Sequence, residues 1–178
     1  MQRFLKNLSL VLTLGLSLVC HAADSELYNS QPCPNSLATQ ETSRSPQKWD
    51  LTLSPYTYHW HYSAEHKNVF LGAMDRYVDD NRFCGLALFS NSFGQPSAYA
   101  YVGQRWDNLG GNPKLFAKVS AGLIWGYRGE YKDKIPFNSL GIAPAIIPSL
   151  GYAFNRQDSA QVVILGNAGL LFAYGHSF

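Results

Sequence analysis

The chain concentrates side chains suited to proton transfer and hydrogen bonding in two short segments. His59, His61 and His66 lie close together, and Ser92 follows Asn91 in the segment Asn-Ser-Phe-Gly. A histidine imidazole titrates near neutral pH and accepts a proton, while the serine hydroxyl and the asparagine amide donate hydrogen bonds. The same residues also have structural interpretations, as polar side chains on an interior face, as turn residues or, for the three histidines, as a metal site. The elements that carry them must decide between these alternatives.

Alternation with a period of two predicts that these elements are β-strands. The segment 115–127 collects one wholly apolar and aromatic face, made of Leu115, Ala117, Val119, Ala121, Leu123, Trp125 and Tyr127. Around the histidines, an aromatic face of Tyr56, Tyr58, Trp60 and Tyr62 alternates with Thr57, His59 and His61. Such strands, apolar on one side and ending in aromatic residues, are typical of the lipid-facing wall of an outer-membrane barrel.

Eight segments have this character, and together they predict an all-β fold, an eight-stranded antiparallel transmembrane β-barrel spanning 50–178. The predicted strands cover about 50–62, 69–77, 83–92, 97–106, 115–127, 141–153, 159–165 and 168–178. A closed antiparallel barrel leaves no unpaired edge in lipid. The last strand ends the chain on Phe178, which resembles the assembly signal of bacterial outer-membrane barrels.

Two other architectures fit the sequence less well. The uncharged stretches 135–155 and 159–178 are long enough for membrane helices, but the first contains three prolines and the second a Gly166-Asn167 turn pair. A soluble β-sandwich would be expected to carry more than the 15% of charged residues found here.

The N-terminal part of the chain predicts export. Residues 1–22 combine Arg3 and Lys6 with an apolar run from Leu8 to Val19 and small residues after it, which is typical of a cleaved signal peptide. A lipoprotein with an acylated Cys20 is the alternative. Residues 23–49 are rich in polar residues and proline and predict a polar periplasmic leader before the barrel.

Charge and cysteine content narrow the function further. Removing residues 1–22 lowers Lys plus Arg from 14 to 12, which equals the 12 Asp plus Glu. A chain without net charge or a basic cluster is not expected to bind nucleic acid. Cys33 and Cys84 remain as a pair in an oxidising compartment, where a disulfide between them is possible.

The predicted interior contains features compatible with a lipid chain. Both faces of the third strand are apolar, because Gly85, Ala87 and Phe89 alternate with leucines. Such an interior either holds a hydrocarbon chain or packs as an inert core. Pro144 and Pro148 cannot donate to the strand ladder. They mark either a local gap through which a lipid enters from the bilayer or a simple bulge.

Several of these segments, in order, resemble the lipid A palmitoyltransferases of Gram-negative outer membranes over about 49–178. The resemblance rests on Tyr58-His59-Trp60-His61, on the segment from Gly85 to Phe93 with its Asn91-Ser92 pair, on Gly103 in an aromatic fourth strand, and on Pro144-Ala145-Ile146-Ile147-Pro148. It implies a monomeric outer-membrane enzyme that moves a palmitoyl chain from a phospholipid to lipid A, without cofactor or metal.

The resemblance also implies roles for individual residues. His61 would be the catalytic histidine and Ser92 the catalytic serine, with Asn91 in place of the family's aspartate. The histidine would accept a proton, and the serine and asparagine would donate hydrogen bonds to an oxyanion. Gly103 would lie near the floor of the acyl pocket. Pro144 and Pro148 would flank its lateral entrance.

The predicted topology is consistent with this assignment. If both chain ends face the periplasm, His61, Ser92 and Arg128 lie at the outer end of the barrel, where Arg128 could contact lipid A phosphates or simply be solvated. The runner-up is a non-catalytic barrel for lipid binding, surface interaction or membrane integrity, because Asn91 lacks the negative charge of aspartate. A pore is disfavoured, since eight strands leave little open lumen.

Overall fold

The protein folds as a closed barrel of eight antiparallel strands. The computed structural model describes Cys33 and residues 48–138 and 140–178. The strands are β1 (Trp49–His59), β2 (Leu71–Tyr77), β3 (Arg82–Ser90), β4 (Pro96–Asp107), β5 (Leu115–Trp125), β6 (Ile142–Ala153), β7 (Asp158–Ile164) and β8 (Gly169–Ser177). Each strand pairs with its sequence neighbours and β1 pairs with β8, so the predicted fold is confirmed.

The predicted N-terminal segments fall almost entirely beyond what the structure describes. The signal peptide 1–22 and most of the leader 23–49 lie outside the described residues. Trp49, which the sequence assigned to the leader, is the first residue of β1. In the described ranges, two 3₁₀ turns (Leu109–Gly111 and Gly129–Lys134) are present, and no helix there has the length and apolar character needed to cross a bilayer.

The first residue of the barrel, Trp49, and the last, Phe178, lie together at one end of the barrel axis. The backbone N–H of Trp49 donates to the carbonyl of Phe178 at 3.0 Å, and the N–H of Phe178 donates back at 2.9 Å. We call this the inner end and the opposite one the outer end. Cys33 is bonded to Cys84 near the start of β3, so this disulfide lies towards the inner end.

The walls separate apolar from polar side chains as the alternation predicts. On β5, Leu123 and Trp125 are exposed on the outside, whereas Phe116 and Lys118 are buried in the interior. On β1 the alternation changes phase at a bulge between Leu53 and Tyr56. Ser54 and Thr57 are therefore both buried, although their positions differ by an odd number.

A buried cluster of charges lies in the inner half of the interior. The Lys118 ammonium lies 3.0 Å from a carboxylate oxygen of Asp75 and 3.3 Å from one of Asp50. Asp50 also accepts a hydrogen bond from Ser177 Oγ at 2.5 Å, and Tyr101 donates to Asp75 at 2.6 Å. These five residues come from β1, β2, β4, β5 and β8, so the cluster joins walls that are distant around the barrel.

Replacing Lys118 by methionine is expected to destabilise the barrel by about 3–5 kcal/mol, because Asp50 and Asp75 would remain buried without their shared cation. Equilibrium unfolding in detergent micelles, followed by tryptophan fluorescence, measures this. Lys114→Met is the matched control, since Lys114 is exposed in the β4–β5 turn. Equal free energies of unfolding for the two variants would contradict the role assigned to the cluster.

Candidate functional site

A histidine and a serine meet at the outer end of the barrel. His59 is the last residue of β1, and Ser92 follows the end of β3 by two residues. Because β1 and β3 run in the same direction, their carboxyl ends lie at the same end of the barrel. Nε2 of His59 lies 2.8 Å from Oγ of Ser92, which is hydrogen-bonding distance.

Aromatic rings surround this pair. The ring of His66 stacks on His59 at 4.4 Å between centroids, and its edge meets Phe93 at 5.7 Å. Phe93 in turn stacks on Tyr131 at 4.3 Å, in the 3₁₀ turn between β5 and β6. The loops after β1, β3 and β5 are therefore packed together around the His59–Ser92 pair.

Asn91 shapes the turn that presents Ser92. Its side chain is buried, and Oδ1 accepts hydrogen bonds from the backbone N–H groups of Phe93 and Gln95, both at 3.0 Å. Nδ2 donates to the side-chain oxygen of Gln95 at 3.3 Å. The chemistry of the Asn91 amide suggested a hydrogen bond to an oxyanion, but the structure directs both of its polar atoms into its own turn. The same bonds end β3 at Ser90 rather than at 92.

An apolar cavity of about 340 Å³ extends from Ser92 into the outer half of the barrel. Its walls include Val69, Phe89, Ile124, Ile147, Leu165 and Leu171, and Asn91 and Ser92 lie on its lining. The predicted partly apolar interior is thus a cavity large enough to hold part of a hydrocarbon chain. The charge cluster lies below it, at the inner end.

The barrel wall is incomplete beside this cavity. β6 pairs with β7 only from Ser149 to Ala153, so residues 142–148 of β6 have no partner on β7. Pro144 and Pro148 fall within this unpaired half, where a missing N–H leaves no donor unsatisfied. The cavity is lined by Pro144 on one side of the break and by Ile164 on the other, whereas Pro148 is not part of its lining.

Tyr99 lies at the lower boundary of the cavity. Its ring stacks on Tyr101 at 4.6 Å, and its hydroxyl donates to the carbonyl oxygen of Ala145 at 3.3 Å. A second cavity of about 100 Å³ lies on the inner side, lined by both tyrosines and by Lys118. Tyr99 therefore contributes to the lining of both cavities, as do Leu71, Ala87, Ile147, Leu165 and Leu171.

Gly103 does not lie at this floor. It is absent from the lining of both cavities, and a Cβ at this position would overlap the ring of Phe83. The missing side chain makes room for a packed aromatic ring rather than for a ligand.

The resemblance assigned the catalytic histidine to His61, but the structure places His59 against Ser92. His61 is exposed, two residues beyond the end of β1, while His59 contacts Ser92. The last backbone bond to the β8 side runs from Trp60 N–H to Ala168 at 3.2 Å, and the chain leaves the wall after it. Period-two alternation gives both histidines the same face, so only the end of strand pairing distinguishes them.

Arg128 and Tyr127 also differ from their predicted surroundings. The Arg128 guanidinium lies 4.7 Å above the ring of Trp125, on the lipid-facing wall. Tyr127 was predicted on that wall, but it lines the cavity and contacts Phe93. The cause is Gly126, whose φ of +132° redirects the chain and whose missing Cβ avoids the side chain of Ser97. Within the described ranges no cluster of His, Cys, Asp or Glu has a metal-binding arrangement.

Comparison with known proteins identifies the fold. No protein-family model and no curated protein matches the chain. A de novo designed transmembrane β-barrel matches with 14% sequence identity and a TM-score of 0.55, covering 76% of this chain and 98% of that one. The N-terminal β-barrel domain of Pseudomonas aeruginosa OprF has 14% identity and a TM-score of 0.41, covering 74% and 96%. The first of these likenesses supports the fold alone, that of a transmembrane-type β-barrel.

Replacing Asn91 by alanine is expected to destabilise the protein by about 1–3 kcal/mol, because the N–H groups of Phe93 and Gln95 in a half-buried turn lose their acceptor. Asn91→Asp, which keeps an acceptor oxygen at the position of Oδ1, should lose less. Denaturant unfolding of the micelle-bound protein is the measurement.

Asn112→Ala provides the control, since Asn112 accepts one backbone bond, from Lys114, in an exposed inner turn. If Asn91→Ala lowers the free energy of unfolding no more than Asn112→Ala does, the stabilising role assigned to the Asn91 side chain is wrong.

Proposed function

We propose that the protein is an acyltransferase of the Gram-negative outer membrane that moves a palmitoyl-type chain from a phospholipid to lipid A. The observation that carries this proposal is the position of the His59–Ser92 pair beside an apolar cavity that borders a break in the barrel wall. Lipid binding alone requires the cavity but does not require a hydrogen-bonded histidine and serine at its outer end.

The pair supports acyl transfer by proton movement at one nitrogen. As the acceptor hydroxyl adds to the ester carbonyl carbon, its proton passes to Nε2 of His59. As Nε2 takes this proton, the hydroxyl of Ser92 is released from its hydrogen bond to Nε2 and donates instead to the carbonyl oxygen, on which negative charge develops. When the tetrahedral intermediate collapses, the glycerol oxygen of the donor leaves and takes the proton back from His59.

The break between β6 and β7 supports lateral entry of the donor. The exposed lipid-facing side chains Ile142 and Ile146 lie on the unpaired half of β6, at the same end of the barrel as Ser92. A phospholipid in the surrounding leaflet can therefore pass an acyl chain through the wall without crossing the charged inner half. With both chain ends towards the periplasm, this leaflet is the outer one, which contains lipid A.

A lipid-binding barrel without transferase activity is the second candidate. Asn91 favours it, because its polar atoms serve the β3–β4 turn and it brings no negative charge to the His59–Ser92 pair. The two candidates differ in whether lipid A gains mass when the protein is present.

His59→Ala is expected to lower transfer by about 10²–10⁴-fold, because the proton acceptor is removed, while His61→Ala retains transfer. Mass spectrometry of lipid A, from cells that lack a palmitoyltransferase and express each variant, measures the acyl-sized gain. Heat-modifiable mobility on gels checks that each barrel assembles. Loss of transfer in His61→Ala with retention in His59→Ala would reverse the assignment, and no gain from assembled wild type would contradict the enzyme.

Tyr99→Ala is expected to shift transfer towards longer acyl chains, because removing the ring connects the cavity of about 340 Å³ with the inner one of about 100 Å³. Donor phospholipids of graded chain length and mass spectrometry of the acylated product give the length profile. Tyr152→Ala is the control, since the side chain of Tyr152 is exposed on the outside surface of the barrel, away from both cavities. An unchanged profile in assembled Tyr99→Ala protein would show that Tyr99 does not limit the chain.

A further inference from the structure

His66, which also lies at the outer end of the barrel, has no role in the chemistry described above. His66 lies seven residues after His59, in the loop between β1 and β2, and its ring stacks on that of His59 with an angle of 26° between the planes. Its other neighbour is Phe93, which meets it edge to face. His66 thus lies between the proton acceptor and the turn that presents Ser92.

Within the part of the chain that the structure describes, no carboxylate forms an ion pair with the imidazole of His59. In many acyl-transfer sites a carboxylate holds the second ring nitrogen and fixes the ring. Among the described residues, the ion pair between a histidine and a carboxylate is that of His176 and Asp158, which belong to β8 and β7. Asn91, at the position where the resemblance expects an acid, is committed to its own turn.

The loop holds His66 in a fixed place relative to Ser92. The backbone N–H of His66 donates to the carbonyl of Ser63 at 3.1 Å, and the next N–H, of Lys67, donates to the carbonyl of Ser92 itself at 2.8 Å. The residue that follows the stacked His66 is therefore bonded through its backbone to Ser92, the hydrogen-bonding partner of His59. A shift of one would move the other.

We propose that His66 is a positioning residue that holds the imidazole of His59 against Ser92 by ring stacking, in place of an orienting carboxylate. This inference rests on the proposed function, since it assigns His66 a part in the same reaction. Without the stacked ring, His59 gains freedom about its side-chain torsions, and Nε2 leaves the 2.8 Å contact for part of the time. Small displacements of a reacting group lower the rate strongly.

Stacking requires a flat ring and does not require an imidazole. Nδ1 of His66 is buried without a hydrogen-bond partner among the described residues. A phenyl ring of similar shape would leave no such atom. The proposal therefore predicts that phenylalanine substitutes for His66, whereas alanine does not.

The experiment compares His66→Ala and His66→Phe with wild type and with Tyr62→Ala, which removes a 95% exposed ring from the same loop. Steady-state transfer in detergent micelles gives kcat and KM. We expect His66→Ala to lower kcat by on the order of 10²-fold with little change in KM, and His66→Phe and Tyr62→Ala to stay near wild type. A purely structural role would instead lower the midpoint of unfolding without this split.

A second measurement does not depend on activity. With ¹⁵N-labelled histidines, NMR of the micelle-bound protein reports ring mobility and the hydrogen bond at Nε2 of His59. We expect both to change in His66→Ala and to be retained in His66→Phe. If wild type transfers no acyl chain but shows this pattern, the proposed function fails and the positioning role stands. If His66→Ala leaves the His59 signals as in wild type, or His66→Phe disturbs them equally, the positioning role is overturned.

Discussion

The pairing of backbone hydrogen-bonding groups is the constraint on which the rest of this structure depends. In lipid, each unpaired N–H or carbonyl group is costly, so a sheet must close on itself. Here β1 closes the barrel by pairing with β8 along most of its length, and Trp49 and Phe178 exchange two further backbone hydrogen bonds. The outer half of β6, which has no partner on β7, is an exception within the described wall, and its two prolines reduce the number of N–H groups left unpaired. A break at this place opens the interior to the side of the barrel while the rest of the wall stays paired.

The interior is divided along the barrel axis. Lys118 pairs with both Asp50 and Asp75 in the inner half, where five strands contribute to one hydrogen-bonded cluster. The outer half is apolar and contains a cavity above Tyr99. The charge cluster joins strands from distant parts of the wall in the inner half. The inner half of the barrel therefore stays closed although the outer half contains a break and a cavity. The stabilising charge cluster and the apolar cavity therefore lie in different halves of the barrel.

The candidate site arises where strands end rather than within them. β1 and β3 run in the same direction, and their chain ends bring His59 and Ser92 within hydrogen-bonding distance. Asn91 organises the turn after β3, and the loop after β1 returns to bond the backbone of Ser92. The stacked rings of His66 and His59, and of Phe93 and Tyr131, then join three loops at one position. The side chains at the site are thus held by loop packing on a rigid wall.

Alternation and composition alone determined the barrel, its eight strands and their lipid-facing sides, because the period of two and the lack of charge follow directly from residue order. They also placed Ser92 at the outer end and the prolines in β6. Tertiary structure decided what periodicity cannot distinguish. His59 and His61 share a face, and only the departure of the chain after Trp60 selects His59. Gly103 leaves space, but it is Phe83, on the neighbouring strand, that fills it. These outcomes depend on contacts between residues far apart in sequence, which no local pattern contains.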